Sequence, residues 1–316
     1  MTSPSVFLIV LNWNNAPDTL ECLRSLVRAS YSGLRVTVVD NHSDDGSAEA
    51  IRREFPNLPL LETTANLGYA GGNNVGIRYA LAQGADLIGI LNNDTVVDPG
   101  FLEPLLAACA PGTRPAVSCP LICEYGRPEI TWALGARIDW ATGVTTRLHP
   151  GEARDAWSQS GPQDVDFVSG TAFLAPRQAF ETVGLLDEGF FLYYEETDWC
   201  LRARQSGYGM RVVPASVVWH KVSASLGQCS PATDYYMLRN QLLFISRHRR
   251  GWSRRLLLAR TVLANLRTIL AYTLRPQHRQ RRPHRDARLL ALRDFFRGRY
   301  GPMGPDVTAI CQPTSK

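Results

Sequence analysis

The chain has 316 residues, enough at roughly 150 per domain for about two structural units and for a sizeable buried core. Hydrophobic residues at 45% and charged residues at 20% exclude a collagen, a coiled-coil rod and a disordered tail protein. The formal charge of +5 conceals an asymmetry: residues 239–300 hold seventeen Arg, no Lys and two Asp, whereas residues 1–238 carry a net of −10. Such a basic tail on an acidic body points to an anionic partner. No apolar run reaches the roughly 18 residues of a membrane span. Residues 1–11 lack the basic start and cleavage site of a signal peptide. The seven cysteines form no Cys-x-x-Cys pair, so a disulfide framework is not expected and a reducing, cytoplasmic setting is.

In chain order, Val6–Leu11 is a continuous apolar run, as in a parallel strand buried on both faces. Pro17 sits in the first turn of a helix bearing Leu20, Leu23 and Val27. Val36–Asp40 reads as a second strand, Ala48–Phe55 as a helix and Leu58–Glu62 as a third strand. A Gly-rich loop, Asn66–Gly76, is expected to lead into a helix over Val75–Gln83, followed by the strand Leu87–Leu91. This alternation specifies an open, mostly parallel, Rossmann-like α/β sheet. Ligands bind such sheets outside the carboxyl ends of the strands, where Asn12, Asp40, Asn66, Asn92, Asn93 and Asp94 fall. Residues 114–164 read as a small antiparallel excursion. Asp166–Leu174 and Val212–His220 are further strands, and Arg177–Gly184 and Glu195–Gln205 are helices. After Pro231 the pattern is helical and Arg-rich to about Gly298, with breaks near Pro276 and Pro283.

Five ordered segments carry a resemblance: Val10–Asn14, Val38–Ser47, Asn66–Asn74, Leu91–Asp94 and Tyr193–Trp199. Together they resemble the family 2 inverting glycosyltransferases, and within them the bacterial rhamnosyltransferases, over about residues 5–225. The resemblance implies the A-type glycosyltransferase fold, followed here by a C-terminal basic helical region. It implies that Asp40 accepts the imide N–H of uracil or thymine. Asn12, Asn66, Gly68, Asn73, Asn92 and Asn93 would complete the nucleotide-sugar site. Asn92-Asn93-Asp94 resembles the family's Asp-x-Asp motif, with Asn92 in place of the first carboxylate, so Asp94 alone brings charge to a divalent Mg²⁺ or Mn²⁺. His220, after Val218-Trp219, resembles the histidine that ligates the metal in some relatives.

Glu195, Glu196 and Asp198 cluster in the first turn of a helix, where the dipole favours ionised carboxylates. The family's acidic motif implies that Glu196 or Glu195 deprotonates the acceptor hydroxyl, with Asp198 orienting the acceptor. Gly170, Thr171, Arg177, Trp132 and Trp157 are weaker candidates for the acceptor side. The expected donor is a dTDP- or UDP-sugar and the acceptor a saccharide or polyprenyl-linked saccharide.

The expected division is a catalytic domain over 1–230, with halves at 1–112 and 113–230, an Arg-rich helical tail over 231–300 and a flexible end over 301–316. Leu258, Val262, Leu266, Ile269, Leu270 and Thr273 fall along one side of a tail helix flanked by Arg. That side is expected to lie on an anionic membrane surface, which would make the protein peripheral at the inner face of the plasma membrane. Two rival classes are weaker. A nucleotidyltransferase needs a basic, Gly-rich loop after the first strand, where Asn12-Trp13-Asn14-Asn15 stands. A nucleic-acid partner finds no recognised motif beside the tail.

Overall fold

The computed structural model describes residues 3–109, 115–221 and 230–311. Contacts divide the chain into a first unit, residues 1–137, 145–187 and 196–225, and a second unit, residues 138–144, 188–195 and 226–316.

The first unit opens as the alternation of strands and helices requires. Strand β1 (Val6–Asn12), helix α1 (Ala16–Val27), β2 (Leu34–Asp40), α2 (Ser47–Glu54), β3 (Leu60–Glu62), α3 (Gly68–Ala82) and β4 (Leu87–Asn92) follow in turn. Next come β5 (Thr95–Val97), α4 (Leu102–Cys109), β6 (Ala116–Glu124) and β7 (Arg127–Ala133). The hairpin β8 (Ala136–Asp139) and β9 (Val144–Arg147) precedes β10 (Gln163–Asp164), β11 (Ala172–Pro176), α5 (Arg177–Val183), α6 (Glu195–Gln205) and β12 (Gly209–His220). Among the described residues the main sheet runs β10-β12-β6-β11-β4-β1-β2-β3, with β5 paired to β12 and β7 to β6.

Strands β3, β2, β1 and β4 are mutually parallel. β11 is antiparallel to both β4 and β6, and β12 is parallel to β6. Two reversals therefore bring the carboxyl end of β12 to the same edge as those of β1, β2 and β4. β1 and β4 are almost wholly buried, which explains their uninterrupted apolar sequences. Leu8, Val10, Leu23, Ile51, Leu91, Leu102 and Leu174 belong to one core.

One boundary differs from the sequence expectation. Helix α3 starts at Gly68, so Gly71, Gly72, Asn73 and Asn74 lie inside it rather than in a loop before it. A Cβ on Gly72 would meet Leu11 at 2.4 Å and one on Gly76 would meet Ile9 at 2.5 Å. These glycines serve close packing of α3 on β1, which outweighs their poor helix propensity.

The second unit contains α7 (Pro231–His248), α8 (Gly251–Leu274), α9 (Arg282–Phe296) and α10 (Pro305–Cys311). Its core gathers Tyr235, Tyr236, Leu242, Ile269, Ala287, Leu292 and Val307. Residues 301–316, read from sequence as flexible, thus include a helix whose Val307 is fully buried. The tail stripe is also corrected: Leu258, Val262 and Ile269 pack against this core. Arg239 is fully buried; it donates to Gly301 O at 2.7 Å and Phe190 O at 3.1 Å. Among the described residues no helix is long and apolar enough to cross a membrane.

Candidate active site

β1 and β2 align Asn12 with Asp40, and β1 and β4 align Leu11 with Asn92, so the polar strand ends form a row. Asn12 Nδ2 donates to Asp40 Oδ1 at 2.7 Å, and Ser43 donates to both Asp40 oxygens, from Oγ at 2.7 Å and from N at 3.0 Å. The turn contact between Asp40 and Ser43 therefore forms. With four lone-pair positions on a carboxylate, it leaves Asp40 one further acceptor position. Thr19, fully buried on α1, extends the row: it donates to Asn12 Oδ1 at 2.6 Å and accepts from Asn93 Nδ2 at 2.8 Å. No periodicity or motif marks Thr19, because its role depends on where α1 lands on the sheet.

Asn66 and Gly68 stand beside this row through another side chain. Asn41 Nδ2 donates to Asn66 Oδ1 and Gly68 O at 3.1 Å each, and Asn41 Oδ1 accepts from Leu67 N at 2.9 Å. Asn41, immediately after Asp40, was a legible neighbour that sequence reasoning passed over. Asn73 is fully buried in α3; its Nδ2 donates to Tyr69 O at 2.9 Å, while its Oδ1 has no hydrogen-bond partner among the described residues. Asn74 exchanges hydrogen bonds with the Leu186 backbone at 2.9 and 3.0 Å.

The antiparallel pairing of β5 with β12 places Thr95 opposite His220. Asp94 and His220 are thereby brought together, Oδ1 to Nε2 at 3.2 Å, with both side chains largely buried. Lys221 N fixes the Asp94 carbonyl at 2.9 Å. His220 Nδ1 is buried without a hydrogen-bond partner among the described residues. A buried imidazole with an unused nitrogen beside a carboxylate is a donor set that fits a divalent cation. Among the described residues no group of three or more His, Cys, Asp or Glu could hold a metal, so Asp94 and His220 stand as a pair. Mg²⁺-type sites usually complete such a set with waters and substrate phosphates. Trp132 meets the His220 ring edge-on at 4.8 Å and carries the Arg147 guanidinium at 4.2 Å on its own face. Trp132 thus packs beside His220, and Trp157 instead packs on His149 at 4.4 Å.

The acidic helix reaches the same edge through β11. Asn92 N donates to Thr171 O at 2.8 Å, and a Cβ on the adjoining Gly170 would sit 3.3 Å from Glu196 Cγ. Gly170 is the residue that lets the backbone come this close. Glu196 Oε2 is buried without a hydrogen-bond partner among the described residues. Burial holds its carboxyl above the usual glutamate range, opposed by hydrogen bonds from its own and Thr197 backbone N–H groups. Glu195 is buried as well.

Asp198, expected at the acceptor, is committed elsewhere: its buried Oδ2 accepts from Arg202 Nε at 2.8 Å, one turn on. Arg202 in turn donates to Val183 O and Leu185 O, at 2.8 and 2.9 Å, bracing α6 against the preceding loop. Arg177 is also displaced from its expected place. Because β11 runs antiparallel to β4, its start lies beside Leu91 and its end, next to Arg177, beside Leu87 at the far edge. There Arg177 bonds Glu181 and Leu81 O.

The segment leading into α6 holds Phe191, Tyr193 and Tyr194 at φ of 65, 68 and 74°. Left-handed backbone is costly for aromatic residues and must be imposed by surroundings. Asn240 on α7 imposes it, donating from Nδ2 to Phe190 O, Leu192 O and Tyr193 O at 2.8, 2.7 and 2.9 Å. Neither Arg239 nor Asn240 was visible as a functional residue in the sequence, since both act across about fifty positions.

Residues 7–184 match the family described as "Glycosyl transferase family 2". The chain is 26% identical over 267 residues to the N-acetylglucosaminyl-diphospho-decaprenol L-rhamnosyltransferase of Mycobacterium tuberculosis (strain CDC 1551 / Oshkosh), covering 78% of this chain and 86% of that one. It is 24% identical over 253 residues to the dTDP-rhamnosyl transferase RfbF of Shigella flexneri, covering 77% and 81%. Among solved structures, the mannosyltransferase PcManGT of Pyrobaculum calidifontis, in complex with GDP-Man and Mn²⁺, superposes with a TM-score of 0.58 at 17% identity, covering 94% of this chain and 88% of that one. That likeness extends to fold, which is the A-type glycosyltransferase fold expected from the sequence motifs.

Proposed function

Because the chain belongs to glycosyl transferase family 2, we propose that it moves an L-rhamnosyl unit from dTDP-rhamnose to a lipid-linked saccharide, with inversion at the anomeric carbon. The observation that carries this reading is Glu196: a half-buried carboxylate whose buried Oε2 has no hydrogen-bond partner among the described residues, held against Gly170 at the edge that also bears Asp94 and His220. A single displacement needs one base to take the proton from the acceptor hydroxyl as it attacks, and Glu196 fills that role. The departing nucleoside diphosphate needs no protonating acid, so no second carboxylic acid is required.

Asp94 and His220 would hold the divalent cation. When bound, the cation supplies Lewis-acid stabilisation of the leaving diphosphate. Asp40 uses its remaining acceptor position for the imide N–H of the base, oriented by Asn12 and Ser43. Asn41 keeps the Asn66–Gly68 segment in place beside it. Burial around Glu196 keeps water from competing with the acceptor and strengthens the carboxylate as a base.

The test is incubation of the purified chain with dTDP-rhamnose, Mn²⁺ or Mg²⁺ and a polyprenyl-diphosphate-linked N-acetylglucosamine, with the product's anomeric configuration read by NMR. Formation of the inverted linkage, lost in Glu196→Gln, supports the proposal. A retained configuration, or transfer that survives Glu196→Gln, overturns the mechanism. Transfer from UDP-sugars in preference to dTDP-rhamnose overturns the donor.

A further inference from the structure

Helix α8 carries a second apolar row, distinct from the residues it packs inward. Trp252, Leu256, Leu263, Leu266, Leu270 and Leu274 are each between 44 and 76% exposed. At 100° per residue they fall within an arc of about 80°. Leu257, Thr261 and Ile269, the buried residues of α8, lie on other sides of the helix. The row therefore faces away from the core of its own unit, and it runs nearly the whole helix, about 33 Å at 1.5 Å per residue.

The charges that α8 itself carries are of one sign. α8 contains no Asp or Glu; Arg255 flanks the row on one side and Arg260 and Arg267 on the other, all exposed. Arg275, Arg279, Arg281 and Arg282 are exposed just beyond its end. Arg254, Arg255, Arg267 and these four have no carboxylate in salt-bridge contact among the described residues. Three arginines further along α9 differ: Arg285, Arg288 and Arg293 are paired with Asp286, Asp234 and Asp294. The structure thus separates the arginines that hold the bundle together from those that face solvent around the row.

We infer that α8 lies flat on an anionic lipid bilayer, with Trp252, Leu256, Leu263, Leu266, Leu270 and Leu274 entering the acyl boundary and the flanking arginines meeting the headgroup phosphates. A long, narrow row flanked by cations is how interfacial helices are built. Each well-placed cation adds roughly 1 kcal/mol of attraction to an anionic surface. Self-association fits the charges less well: a two-fold pairing sets the same patch against itself and brings these arginines towards one another. The inference does not rest on the sugar-transfer reading, since every residue it uses belongs to the second unit.

The experiment is flotation of the full-length protein with phosphatidylcholine vesicles and with vesicles that also contain phosphatidylglycerol, alongside sedimentation velocity without lipid. The expected result is binding to the anionic vesicles that weakens with salt. The double variant Leu263→Glu/Leu270→Glu should lower partitioning at least about tenfold, because two exposed apolar contacts are replaced by repelled charges. Arg255→Gln/Arg267→Gln should reduce the preference for anionic lipid while leaving the Tm unchanged. Absence of vesicle binding, or binding indifferent to both variants, overturns the inference. So does a dimer in solution that Leu263→Glu/Leu270→Glu dissociates, since the row would then be a face between copies.

Discussion

Two neighbouring carboxylates of α6 are expected to fail in opposite ways when neutralised. Glu196 offers a buried, unpartnered oxygen, whereas Asp198 spends its carboxylate on Arg202, which ties α6 to Val183 and Leu185. In Glu196→Gln the shape is kept and the base is lost. General-base catalysis contributes about 10²–10⁴-fold, so kcat should fall by that factor, about 3–5 kcal/mol of barrier. Stability should hardly move, because removing a desolvated charge and introducing a buried amide N–H oppose one another. In Asp198→Asn the ion pair with Arg202 is broken. Fully buried pairs lose about 3–5 kcal/mol on such a change; Arg202 keeps 28% of its side chain exposed, so a smaller loss of about 2 kcal/mol is expected. That corresponds to a fall in Tm of about 4–8 °C. Single-turnover transfer and thermal unfolding on the same preparations separate the two cases. If Asp198→Asn kept its Tm and lost turnover while Glu196→Gln remained active, the assignment of base and brace would be reversed.

Further outcomes rest on particular contacts. Burial raises the Glu196 carboxyl and only its ionised form can act, so kcat should decline with falling pH through a midpoint above the usual glutamate value; a pH profile with its acid limb at or below that value would contradict this. Asp94→Asn should raise the Mn²⁺ concentration needed for donor binding at least about tenfold, measured by calorimetry without acceptor, whereas Asp40→Asn should weaken the nucleoside diphosphate and leave the metal requirement in place. Asn240→Ala removes the donor shared by three carbonyls of the left-handed segment; a stability loss of roughly 1–3 kcal/mol should accompany a lower kcat with donor affinity unchanged, and an unaltered kcat would show that the segment does not set the acidic motif. Gly76→Ala should lower the Tm by about 2–4 °C, because the strain against the buried Ile9 outweighs the gain in helix propensity; an unchanged or raised Tm would mean the strand yields.

The sheet was legible because its determinants are local. Val6–Leu11 and Leu87–Leu91 are apolar runs that end in polar residues, and a parallel sheet puts such ends at one edge. Asn12, Asp40, Asn92 and Asp94 could therefore be placed together before any contact was known. The start of α3 was not legible, because Gly and Asn signal a loop by propensity and are tolerated in this helix by its approach to Ile9 and Leu11. Thr19 and Lys221 were hidden for a different reason: each acts on a residue more than seventy positions away, Thr19 on Asn93 and Lys221 on Asp94.

The tail shows where periodicity stops being informative. Helix α8 is apolar on more than one side, so a row can be drawn through Leu258, Val262 and Ile269 or through Leu256, Leu263 and Leu270 with equal helical regularity. Only packing against Tyr235, Leu242 and Leu292 decides that the first is core, which leaves the second for a partner. The same packing redistributes the charge. Arg239 is enclosed by Tyr235, Tyr236 and backbone carbonyls, and Arg288 and Arg293 are paired, so the net of +15 over residues 239–300 overstates what an anionic surface would meet. What remains is concentrated along α8 and the turn after it. A narrow row of exposed leucines between arginines is a more selective feature than total charge, since it requires apolar insertion and electrostatic attraction at one place.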